Sequence, residues 1–135
     1  STKMQFLITD EYLKSLDEVG RVCMASHVDS GEDLLNFFAK DANWHVRVAV
    51  ADNLAATPEI LSNLAKDTNP VVRKMVARNP NASETTLEEL SRDDNDYVRR
   101  AIIDNLNVTP KILKELSKDE NWMIKQAAEY ALKNC

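Results

Sequence analysis

Apolar residues recur along the chain in fixed columns. Shifted by 26 residues, the sequence lines up with itself without a gap. Leu35, Leu61, Leu87 and Leu113 share one column, and Phe38, Leu64, Leu90 and Leu116 another. Val46, Val72, Val98 and Ile124 form a third. Within each copy the spacing predicts two short amphipathic helices. In "TPEILSNLA", Thr57 is a favourable N-cap, Pro58 suits the first helical position and Glu59 suits the helix dipole. Ile60, Leu61, Leu64 and Ala65 then fall on one face. In "NPVVRKMVARN", Asn69 caps the second helix, Pro70 takes its first position, and Val72, Met75 and Val76 form the buried face. Asn53, Asn79 and Asn105 stand where the second helices end. They are expected to take the left-handed C-cap conformation in a chain with only two glycines.

So short a helix pair cannot bury its own apolar face. Stacked pairs can, so the pattern predicts an all-α solenoid. Polar columns repeat with the same period: Asp41, Asp67, Asp93 and Asp119, and, six residues on, Arg47, Arg73, Arg99 and Lys125. Stacking sets these in two parallel rows, where each guanidinium can meet a carboxylate of its own copy or of a neighbour. A residue recurring in every unit serves the unit, so the ladder is read as structural, with no catalytic role.

The phrase "LAKDTNPVVRKMVARNP" resembles the leucine-rich repeat variant family, whose unit reads Leu-Ala-x-Asp-x-x-x-x-Val-Arg and then Asn-Pro. More broadly, the Asp and Val-Arg spacing is similar to HEAT-type repeats. The resemblance covers residues 34–135. It implies a right-handed superhelix of about five helix pairs, the second helix of each pair short or partly 3₁₀. Residues 1–33 fit as a degenerate N-terminal capping repeat and residues 34–135 as four regular copies, all in one domain. Tyr12, Leu13 and Leu16 make the first helix of the cap, whose following turn is shortened and lacks the Asp. Ser30-Gly31-Glu32-Asp33 then reads as a capping box that restarts the array.

Composition narrows the function without naming it. The net charge is −5, and residues 1–33 hold seven acidic against three basic side chains, so the acidity is local to the N-terminal part. A protein that grips a phosphate backbone usually carries a basic surplus, and this chain carries none overall. Lys74, Arg78 and Arg100 make a small local strip, flanked by aromatic residues, that suits an acidic peptide better than nucleic acid. No apolar run is long enough to span a bilayer, and "STKMQFLITDEYL" lacks the pattern of a signal peptide. With two cysteines, Cys23 and Cys135, there is neither a disulfide framework nor the cluster that an iron–sulfur protein needs. The expected location is the cytoplasm, with no cofactor. Cys23 and His27 share a helix face but need two more ligands to hold a metal, and they are read as a packed thiol and a cap.

The columns that do not repeat are the candidates for binding. Opposite the buried face of the second helices stand Trp44, Val48 and Asp52, then Pro70, Lys74 and Arg78. Asp96, Arg100 and Asp104 follow, and finally Trp122, Gln126 and Tyr130. In repeat solenoids such a row commonly lines the concave surface. The reading is a non-catalytic scaffold that binds a protein partner there and at its aromatic C-terminal end, where a homodimer is a second use. The alternatives are a HEAT-like nucleic-acid-binding protein or DNA-base repair enzyme, and a self-assembling structural module.

Overall fold

The computed structural model describes residues 9–135. The N-terminal stretch read above as lacking a signal peptide lies mostly outside them. Ten α-helices and no strand occur among the described residues, arranged as five successive pairs. The pairs are α1 (Asp10–Ser15) with α2 (Glu18–Ser26), α3 (Glu32–Phe38) with α4 (Trp44–Ala51), α5 (Pro58–Leu64) with α6 (Pro70–Arg78), α7 (Glu84–Leu90) with α8 (Asp96–Ile103), and α9 (Pro110–Leu116) with α10 (Trp122–Lys133).

The caps follow from the sequence. Ile60 N–H donates to the Thr57 hydroxyl at 3.2 Å, with Pro58 starting the helix. Ser83 and Thr109 cap α7 and α9 in the same way. The carboxamide oxygens of Asn43, Asn69, Asn95 and Asn121 each accept from the backbone N–H two residues on, at 2.8–2.9 Å. The second helices are α-helical and, at 8–12 residues, longer than the first ones at 6–7, so the short or 3₁₀ form implied by the resemblance is not adopted. Their apolar residues, such as Val46, Ala49 and Val50, keep α spacing and are buried.

The Leu35, Phe38 and Val46 columns are buried in every copy, and all their members but Leu113 join into one continuous core. Each second helix packs on the next second helix, α2 on α4 through α8 on α10, whereas successive first helices do not pack on one another in this way and mostly touch their own partner and the second helix before it. The second helices therefore form the tighter, inner row. The α1–α2 turn holds two residues against five in the other pairs.

Three local expectations need correction. Among the described residues none has positive φ, and Asn79 at the end of α6 is extended, with φ −79° and ψ 127°. The asparagines end helices with their side chains instead, as described below. Ser30 does not cap α3: its hydroxyl donates to Met24 O at 2.6 Å, and the cap position falls on Gly31, which offers no side chain. Cys23 is exposed and not packed. It occupies the column in which Ala49 and Ala101 are buried against the preceding pair, and no described pair precedes α1–α2.

Candidate functional site

Two polar ladders run between copies and must be separated from any binding surface. In the first, every arginine reaches forward. Arg21, Arg47, Arg73 and Arg99 pair through Nε with Asp41, Asp67, Asp93 and Asp119 of the next copy, at 2.7–2.9 Å. Arg47, Arg73 and Arg99 add a second bond to the other carboxylate oxygen at 3.1–3.2 Å. They also donate back to the backbone carbonyl of the aspartate in their own copy at 2.7–2.8 Å. The shortened first turn gives Arg21 the carbonyl of Leu16 instead. The aspartates fix the turn as well: Asp67 accepts from Asn69 N–H at 2.9 Å, and the other three do the same. The bonds to Asp93 and Asp119 hold Arg73 and Arg99 above the ordinary guanidinium pKa, although partial burial pulls the other way. Lys125 ends the column; it is exposed and forms no ion pair among the described residues.

The second ladder is made of buried asparagines. Asn53 donates to the carbonyls of Ala25 and His27, Asn79 to those of Ala51 and Asn53, and Asn105 to those of Ala77 and Asn79, all at 2.8–3.0 Å. Each carboxamide oxygen accepts from the backbone two residues on, at 2.8–2.9 Å. Every hydrogen-bonding group of these side chains that faces the interior is thus used for stacking. Among the described residues no buried side-chain polar atom lacks a partner, and no group of three His, Cys, Asp or Glu is placed to hold a metal. Apart from Lys125, the charged and carboxamide side chains of both ladders are engaged between copies.

The unrepeated columns lie on the exposed side of the inner row. Trp44, Arg78, Arg100, Asp104, Trp122, Gln126 and Tyr130 are exposed, and Lys74 is half-buried. Trp122 and Tyr130 expose 66% and 70% of their surface, large values for aromatic side chains in a folded chain. Trp44 stacks on His45 with ring centroids 3.9 Å apart, and His45 Nδ1 lies 2.8 Å from Glu18 Oε1 across α2 and α4. Between those helices runs a shallow groove of about 550 Å³, with Val19, Val22, Val48 and Ala49 on its walls. Arg100 is held by Asp104 of its own helix at 3.3 Å. Lys74 and Arg78 on α6 form no ion pair among the described residues.

Two exposed apolar rows were not recognised as rows in the sequence, although Met123 was already legible as part of the apolar C-terminal end. The first is the column after Trp44: Val71, Tyr97 and Met123, with Tyr97 at 73% exposure. It extends the same face, and the signal was present as an apolar excess at one non-core position of the period. The second comprises Val28, Leu54 and Leu106, in the turns after α2, α4 and α8, with Leu106 at 92% exposure. Asn81 and Asn107 tie these turns between copies through the carbonyls of Leu54 and Pro80. A wider cleft of about 1170 Å³ near α1 and α3 is lined by Leu13, Met24, Leu34 and Phe37, and by the ladder pair Arg21 and Asp41.

No helix among the described residues is long and apolar enough to cross a membrane. No curated protein and no solved structure matches the chain. Residues 70–95, from the first residue of α6 to the asparagine that caps α8, match the family model described as leucine rich repeat variant, so the segment holding the Arg73–Asp93 rung is similar to that repeat family.

Proposed function

We propose that the chain is a non-catalytic helical-repeat scaffold that holds a protein partner on the exposed face of its second helices and at its C-terminal end. The observation that carries this is the exposure of large apolar side chains at columns the fold does not use: Tyr97, Trp122, Met123 and Tyr130. Such side chains, gathered on one face, usually mark an interface. The match to a repeat unit supports a scaffold. The ladders leave no activated nucleophile or acid–base pair, which supports a non-catalytic reading. With a net charge of −5, nucleic acid is the weaker alternative. The cytoplasm is our working compartment, on the cysteine count alone. The test is co-purification from the native cell with the full chain, alongside Trp122→Ala/Tyr130→Ala and a control altered on the first helices, Lys111→Ala. Loss of the same partners in the first variant only supports the surface. Retention of every partner by the aromatic variant removes the C-terminal end from it.

A further inference from the structure

We infer that the middle of this face receives an extended protein segment with one acidic side chain set between two apolar ones. The inference rests on the proposed function and names the chemistry of its partner.

The argument starts from charge. Along the row that holds Trp44, Lys74, Arg100 and Gln126, only α6 presents cations and no carboxylate: Lys74 and Arg78 stand there one turn apart. Neither takes part in an ion pair among the described residues, whereas the neighbouring Arg100 is held by Asp104. A half-buried lysine beside an unpaired arginine favours a carboxylate. Apolar side chains flank this pair on both sides, beside the carboxylate of Asp52 at the end of α4 and those of Asp96 and Asp104 on α8, which are held by Arg99 and Arg100. Trp44 and the groove at Val48 lie on α4, and Tyr97 lies on α8. The features follow one another across helices and not along one of them, so the occupant crosses the row. Packed helix axes lie ~8–10 Å apart and an extended chain rises ~3.3 Å per residue. Neighbouring second helices are therefore about three residues apart along the bound segment. The acid sits at α6, with an apolar residue about three positions before it and another about three after it. Two cations are too few to follow a phosphate backbone, which favours protein over nucleic acid.

The full chain is used as bait for a displayed library of random peptides of about twelve residues, enough to cross four helices. Parallel baits are Lys74→Glu/Arg78→Glu and the milder Lys74→Gln/Arg78→Gln, each checked for native circular dichroism. The expected result is enrichment of peptides with an acid flanked by apolar residues at that spacing. Their binding should weaken at least about tenfold on both charge variants. Enriched peptides that lack an acid, or that bind the charge variants as well as the native chain, overturn the inference. If such peptides are lost on Trp44→Ala/Tyr97→Ala, the surface stands and only the acidic partner falls. If the native chain selects no peptide, this inference falls and the co-purification above decides the surface separately. Displacement of enriched peptides by a single-stranded oligonucleotide at physiological salt also overturns it, in favour of nucleic acid.

Discussion

Asp67 shows what a repeated residue does here. Its two oxygens accept from Arg47 of the preceding copy at 2.7 and 3.1 Å, one of them also accepts from Asn69 N–H, and its carbonyl accepts from Arg73. The side chains of Arg47 and Asp67 are only 16% and 8% exposed. Asp67→Ala strands a mostly buried guanidinium and an unpaired turn amide, so a loss of about 3 kcal/mol is expected in urea melts, near the low end of ~3–5 kcal/mol for breaking a buried pair. A loss of a few tenths would mean that the rung behaves as a surface pair. Raised folded pKa values place the contribution of Arg73 and Arg99 below the guanidinium range, where it is fully present, and it is lost only as pH rises through the folded value. The coupling energy of a double-mutant cycle on Arg73 and Asp93 should therefore stay constant from about pH 7 to about pH 9. The asparagine ladder has the opposite polarity: Asn79 offers two hydrogens to two carbonyls at 2.9 Å. Asn79→Asp replaces that donor with an anion facing the same carbonyls, so it should destabilise more than Asn79→Ala, which costs about 1–3 kcal/mol. A milder effect of the aspartate in thermal melts would argue against the ladder. The arginine rows could be read from sequence because charge and period together name them. The asparagine rows were misread because a C-terminal asparagine signals the left-handed cap locally, while its real partners lie 26 and 28 residues back.

At the scale of the helix, most of what forms each element is local and was legible. Thr57, Ser83 and Thr109 cap where their hydroxyls predict, and the buried columns carry the apolar spacing. Where prediction failed, a tertiary contact took over. Ser30 bonds Met24 O across the turn and leaves α3 capped by Gly31, with φ −69° and no side-chain cap. Nothing lies within 4 Å of a Cβ built at Gly31, so Gly31→Ser should add about 0.5–1 kcal/mol by supplying a cap and restricting the unfolded chain. A lower thermal midpoint for that variant would mean that the entry to α3 is set by something other than its cap. Column 131 shows the reverse case. Alanine stands there in place of asparagine, so no side chain turns back to the previous copy, and α10 runs on to Lys133.

Over the whole molecule, the repeated columns hold successive pairs together and the unrepeated ones are left on the surface. The core columns and the Arg–Asp rows needed only the 26-residue period to be seen. The candidate face was legible in part: Trp44, Lys74, Arg78, Arg100, Asp104, Trp122, Gln126 and Tyr130 belong to it by register, but exposure had to come from the fold. Tyr97 escaped notice because nothing local distinguishes an exposed tyrosine from a buried one. The apolar C-terminal end also raises self-association. Light scattering over a dilution series should show dissociation with dilution, and a lower mass for Trp122→Ala/Tyr130→Ala, if that end pairs two chains. A monomer at every concentration eliminates the dimer and leaves the end to a partner. The division between ladder and surface is tested most directly by protease resistance of the full chain carrying every single substitution. The Asp, Arg and buried Asn residues should be sensitive in every copy that carries them, while the eight surface positions should tolerate change within about 0.5 kcal/mol. Equal sensitivity at Trp44, Trp122 and Tyr130 would show that those side chains are kept for packing, and would contradict the account.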